Sequence, residues 1–169
     1  MGAGQLDNMW RVDIDSLLRA MEDASFPAHW EQIQYKGGKS PGRISHHKCT
    51  VIGDKVVLVG GILGDSSNGD TWIFDLRTNQ WEAGKSSGEV PQGMDDHTVV
   101  LSDKQLVVFG GFGSHGCRVN SVHSAQVNVN NTIVWATVSN DQAPSKTCPV
   151  PRNSHSAVSH GNSIFVFGG

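Results

Sequence analysis

No apolar run in this sequence approaches the roughly 18 residues that a membrane span requires. The first residues, MGAGQLDNMW, also lack the basic segment and apolar stretch of a secretory signal. Both absences lead us to expect a soluble intracellular protein, in the cytoplasm, with the nucleus as a second option. Cysteine is scarce: Cys49, Cys117 and Cys148 are odd in number and sit at no metal-ligand spacing, so neither a disulfide scaffold nor a zinc site is expected. Basic residues are few and unclustered. Thirteen Lys and Arg against 16 Asp and Glu give a net charge of −3, so neither nucleic acid nor an anionic membrane is expected as the main partner. The sequon Asn130-Asn131-Thr132 has meaning only in a secreted chain and carries no weight here.

What the sequence does have is glycine, 20 in 169 residues, and it recurs in pairs after apolar runs. KVVLVGG, QLVVFGG and SIFVFGG end at Gly60-Gly61, Gly110-Gly111 and Gly168-Gly169, spaced by 50 and then 58 residues. Thirteen positions before each pair stands a histidine: His47, His97 and His155. Seven positions before each pair is a turn-forming residue, Gly53, Asp103 or Gly161. Each copy therefore predicts a β-hairpin, strands a and b. Downstream of the first pair, DTWIFD with Trp72 and then Trp81 predict strands c and d. After the second pair the equivalents are HSAQVNV, with Val127 at the aromatic position of strand c, and Trp135. The N-terminal segments DNMWRVD and HWEQIQ, with Trp10 and Trp30, match strands c and d without a and b. Between them, Ile14, Leu17, Leu18 and Met21 recur at helical spacing behind Asp13 or Asp15, predicting a short helix over about 15–23. This insert is either a decoration of the loop or a helix that meets a partner.

These motifs resemble the kelch-repeat family: a hydrophobic run into Gly-Gly, spaced aromatics, and Pro151-Arg152-Asn153-Ser154-His155 opening the last unit. The second unit departs from the pattern, since PQGMDDH lacks the arginine. The resemblance implies an all-β chain of four-stranded β-propeller blades. The expected division is a tail at 1–6, a partial blade (c-d, with the helix) at 7–34, blades at 41–84 and 91–138, and a partial blade (a-b) at 149–169. The glycine pairs, the histidines and Trp30, Trp72, Trp81 and Trp135 are then frame positions. The glycines permit a close backbone approach, and the strand-d tryptophans fill the wedge between blades.

Local motifs of chemistry are weak by comparison. GFGSHG (111–116) matches G-x-G-x-x-G after a strand, yet neither a helix nor an acidic residue about 20 positions on follows it. GDSSNGD (64–70) lacks the ligand alternation and final glutamate of a calcium loop, and His46-His47 with Cys49 sit where adjacent side chains face opposite ways. No nucleophile elbow is present. No catalytic residue, cofactor or metal is therefore expected. The resemblance implies a ligand surface built from the b-c loops (62–70 and 112–121) and the d-a loops (36–46, 85–96 and 138–154). On these loops Arg43, His115, Arg118 and Arg152 are the candidate partner-binding residues, because a guanidinium presents several donors to an acidic or C-terminal peptide group. The function implied is a non-enzymatic protein-interaction scaffold, such as a ubiquitin-ligase substrate receptor or a cytoskeletal adaptor. The alternative is a fragment of a propeller enzyme of the oxidase or sugar-epimerase kind. Three blades' worth of strands cannot close a ring of about 4 to 8 blades. Either a longer parent chain, favoured by the abrupt end after an apolar strand, or a second copy is expected to complete it.

Overall fold

The computed structural model describes residues 5–141, 143 and 145–169. Residues 1–4 of the expected tail, and Gln142 and Pro144 of the 138–154 loop, lie outside the described residues. In chain order the elements are β1 (Met9–Val12), α1 (Ile14–Glu22), β2 (Trp30–Ile33), β3 (Ile44–Ser45), β4 (Lys48–Ile52), β5 (Lys55–Val59), β6 (Ile62–Leu63) and β7 (Ser66–Ser67). There follow β8 (Thr71–Asp75), β9 (Gln80–Ala83), β10 (Lys85–Gly88), β11 (Met94–Asp95), β12 (Thr98–Ser102), β13 (Gln105–Phe109) and β14 (Phe112–Gly113). The chain closes with β15 (Val122–Val127), β16 (Thr132–Ser139), β17 (Ser156–His160) and β18 (Ser163–Phe167).

Apolar residues run almost unbroken along β5 and β13, and a two-residue turn joins each to the strand before it, β4 or β12, with φ of 55° at Gly53 and 47° at Asp103. Each hairpin recruits the next two strands, giving antiparallel sheets in the order β4-β5-β8-β9 and β12-β13-β15-β16. At either end a two-stranded sheet remains, β1-β2 and β17-β18. The array is open. Its innermost strands β4, β12 and β17 lie side by side. Val57, Val59 and Ile73 of the first blade bury against Leu106, Val108, Ala125, Ile133 and Trp135 of the second, each no more than 3% exposed. On its other face the first blade presents Leu58, Phe74 and Trp81 to Met9, Ile33 and Tyr35 of the β1-β2 unit. The helix, capped by the Asp13 side chain accepting from Ser16 N at 2.8 Å, buries none of its residues.

Two features depart from the sequence reading. By its pairing with Val108, the strand-c residue equivalent to Trp72 is His123, not Val127, which lies further along β15 opposite Ile133. The c-d turn Asn128–Asn131 therefore begins later in the sequence than the repeat suggests. The segment 85–96, expected as a loop, starts with β10, which runs parallel to the outermost strand β16 as a fifth strand of the second blade. Its sequence, KSSG, has no strand pattern. It is extended because β16 offers unpaired edge groups to whatever backbone passes beside it. In the first blade the same arrangement shrinks to one bridge, Lys36 to Gln80.

The repeat histidines sit at the junctions between blades. His97 is fully buried, His155 is 4% exposed and His47 is half-buried. His155 Nε2 meets the Thr98 hydroxyl at 2.9 Å and its ring packs edge-on against Phe109. Lys48 stands where Thr98 does one blade earlier, and both ring nitrogens of His97 lack a partner among the described residues. Burial, helped by the neighbouring Lys48 and His155 charges, pushes the His97 pKa down to about 3. The sign follows: His97 is neutral when folded and gains a proton when unfolded once the pH is below about 6.5. Its contribution is thus intact above that value and is lost as pH falls toward 3, by up to about 1.4 kcal/mol per pH unit. Urea unfolding at pH 6.5 and 5.0 is expected to show this loss, and His97→Gln to reduce the slope by about one proton. An unchanged slope in the variant would show that His97 is not the group responsible.

Candidate functional site

At the end of the blades opposite the a-b turns, the d-a and b-c connections are sewn to one another. In the first blade β3 pairs with β6 and β6 with β7; in the second, β11 pairs with β14. Stitches also run between blades. The Ser67 hydroxyl donates to Asp95 Oδ2 at 2.6 Å, joining the first b-c loop to the second d-a loop, and Asp95 is 6% exposed. Asp96 N donates to His46 O at 3.1 Å, and Ser154 N to Asp96 O at 2.9 Å. The three residues that precede the repeat histidines, His46, Asp96 and Ser154, all hold φ between 52° and 56°. This left-handed turn lets each backbone bond to the next across the junction, in an open series. The result is a firm rim on which exposed side chains keep their positions.

The four candidate residues are distributed unevenly over this rim. Arg118 is exposed, and its Nε donates to Asn153 Oδ1 at 2.7 Å. Asn153 in turn reaches Asp96 Oδ2 at 3.5 Å, so Arg118 stands over the second junction. Arg152 is half-buried and held by backbone: Nη1 donates to Gly168 O at 2.9 Å and Nε to Val150 O at 3.3 Å. His115, at the tip of the same b-c loop as Arg118, is exposed, and so is Arg43, just before β3. Neither makes a hydrogen bond or ion pair within the described residues. Arg118 and Arg152 thus flank Asn153 at one junction, whereas Arg43 belongs to the rim of the first blade.

The sequence reading did not single out the groups that fix this rim. Asn120 is 2% exposed, and its Nδ2 donates to Pro149 O at 2.8 Å. Asp141 Oδ1 accepts from Asn120 N at 2.8 Å and Ser121 N at 3.0 Å. Together they tie the long 138–154 connection to the second b-c loop. On the 50-residue spacing of the glycine pairs Asn120 aligns with Asp70, whereas the strand pairing sets it against Gly69, so the repeat did not mark it. Among the frame residues, Trp81 and Trp135 are 7% and 3% exposed, while Trp30 at the equivalent strand-d position is 57% exposed. The pairing of Val12 with Trp30 repeats that of Phe74 with Trp81, but among the described residues the β1-β2 sheet has two strands only.

Repeated four-stranded sheets, paired glycines and junction histidines define a family of folds, and residues 2–169 match the model for the KLHDC2/KLHL20/DRC7 Kelch-repeats domain. The chain belongs to the kelch-repeat family. It is 29% identical over 162 residues to human host cell factor 1 and 31% identical over 126 residues to rat Kelch domain-containing protein 3, matches that take in 83% and 73% of the chain. It is also 30% identical over 148 residues, 83% of the chain, to the N-(sulfonatooxy)prop-2-enimidothioate sulfolyase of Thlaspi arvense. The chain spans 8%, 31% and 39% of these three relatives. A protein named as an enzyme, the sulfolyase, is thus among the relatives of this chain. No helix among the described residues is long and apolar enough to cross a membrane.

Proposed function

We propose that this kelch chain is a non-enzymatic interaction module that captures an acidic or C-terminal peptide segment of a protein partner on the rim formed by its b-c and d-a loops. The observation that carries this reading is Arg118: an exposed guanidinium held over a blade junction by a single neutral partner, with its remaining donors free for a carboxylate. His115 and Arg43 extend the surface, and Arg152, tied to the Gly168 carbonyl, braces the loop beneath it. A cytoplasmic or nuclear scaffold of this kind suits a ubiquitin-ligase substrate receptor or a cytoskeletal adaptor. No cofactor takes part.

Affinity capture from native extract tests the reading. The chain is compared with Arg118→Ala and with Lys104→Ala, which lies in an a-b turn at the opposite end of the strands. Arg118→Ala is expected to lose the partner while changing stability by no more than about 0.5 kcal/mol, the norm for an exposed residue. Lys104→Ala is expected to retain the partner. Equal capture by both variants would move binding off the rim. The sulfolyase relative keeps an enzymatic reading in view, and stoichiometric copper or iron in the purified protein would favour it over the scaffold.

A further inference from the structure

The second blade holds a contact on its outer edge that the first blade lacks. Strand β10 runs parallel to β16, and Glu89, which follows it, closes the edge twice: its N–H donates to Trp135 O at 3.0 Å, and its carboxylate Oε2 accepts from Thr137 N at 2.8 Å. The bond from the Thr137 backbone holds the Glu89 carboxyl below the usual glutamate range. In the first blade the segment beside β9 makes the same approach and then leaves. Lys36 bridges Gln80 as Ser87 pairs with Val134, one residue before the strand-d tryptophan in each case. Gly37 follows with φ of 83°, as Gly88 does with 78°. The next residue is Gly38, which has no side chain to repeat the contact of Glu89.

Two backbone groups are left open on β9. Gly84 N donates to Thr71 O at 2.8 Å, so the alternation of an antiparallel ladder points the backbone groups of Glu82 toward β8 and those of Trp81 and Ala83 outward. Trp81 O and Ala83 N are the counterparts of Trp135 O and Thr137 N, and neither has a partner among the described residues. They border a cleft of about 690 Å³ whose wall carries three exposed lysines, Lys36, Lys39 and Lys85. No ion pair or hydrogen bond engages these ammonium groups among the described residues. The acid in the wall, Glu82, already accepts from Asn131 Nδ2 at 2.6 Å. A Cβ on Gly38 would meet nothing within 4 Å, so there is room for a side chain where Glu89 stands in the second blade.

We propose that the outer edge of β9 binds an extended acidic segment of a protein partner, with one glutamate in the position that Glu89 takes in the second blade. The backbone N–H of that glutamate donates to Trp81 O, and its carboxylate accepts from Ala83 N while the three lysines balance its charge. An unpaired strand edge offers main-chain bonds to any extended peptide. The lysines and the open donor at Ala83 select an acidic one, because a carboxylate accepts a charge-assisted bond from a backbone N–H. The second blade shows that such an edge holds a segment with no strand pattern of its own, KSSG followed by glutamate. The site needs neither Arg118 nor the second junction, so it stands or falls separately from binding at the rim.

Nuclear magnetic resonance titration of the nitrogen-15-labelled chain tests it. The probe is acetyl-Ser-Gly-Glu-Val-amide, which copies residues 87–90 and carries no carboxylate besides its glutamate. The expected result is a saturable downfield shift of the Ala83 amide proton, with affinity about tenfold weaker when the peptide has Gln in place of Glu, the loss of a charge-assisted bond. Gly38→Glu is expected to supply the carboxylate from within the chain, shifting the Ala83 amide without peptide and blocking the titration. Gly38→Ala is expected to bind the peptide as the parent does, since Gly38 does not hold a positive φ and its Cβ position is open. Arg118→Ala is expected to leave the titration unchanged. No saturable shift at Ala83, equal affinity for the Glu and Gln peptides, or the same shift from acetate at the same concentration would each overturn the proposal. So would a Gly38→Glu variant that binds the peptide like the parent. Loss of the titration in Arg118→Ala would move the peptide to the rim and overturn it as well.

Discussion

Gly60→Val is expected to destabilise the protein by roughly 3 kcal/mol or more, the sum of backbone strain and overpacking in a close-packed junction. Gly60 holds φ of 59°, where a β-branched residue is strained, and a Cβ there would lie 2.5 Å from Met94 O and 2.9 Å from His97 Cε1. Neither neighbour can yield: Met94 O is the acceptor for Gly61 N, and His97 is fully buried. Gly53 separates conformation from packing. Its φ is 55°, but nothing lies within 4 Å of its Cβ position, and Asp103 adopts 47° at the equivalent place. Gly53→Asp is therefore expected to stay within about 1 kcal/mol of the parent, since Asp tolerates the left-handed region. Denaturant midpoints for the two variants decide the matter; similar losses would mean that the junction does not constrain Gly60.

Trp135→Ala is expected to cost roughly 3 to 5 kcal/mol, as for other large buried aromatics. The ring is 3% exposed and belongs to the cluster that joins the two whole blades, with Ile133 and Ala125 beside it. Trp30→Ala, the same position of the repeat, is expected to cost less than about 1 kcal/mol, because at 57% exposure little apolar contact is removed. Parallel urea titrations of the two variants provide the measurement. Equal losses would imply that the N-terminal unit is packed in solution as a whole blade is.

The repeat was legible because its signals are local. A strand needs β-branched and aromatic residues at short range, a hairpin needs a turn-former between two such runs, and Asp13 followed by apolar residues at helical spacing starts a helix. The kelch family and its all-β architecture follow from those signals alone. The sequence also marked positions that become core wherever both neighbouring sheets are present, as with Leu106 in its apolar run and Trp135. Tertiary structure decided the rest, because the deciding partners lie in other blades. KSSG becomes β10 only because β16 presents an unpaired edge beside it. Arg118 and Arg152 are both loop arginines offered to a partner by the sequence, yet one reaches a side-chain amide on the surface while the other is bound to the Gly168 carbonyl. Asn120 and Asp141 brace the rim across a connection whose length the repeat does not set. Trp30 and Phe167 have the same local sequence character as their buried counterparts, but burial depends on whether another sheet lies alongside, a property of the assembled neighbours and not of the strand itself.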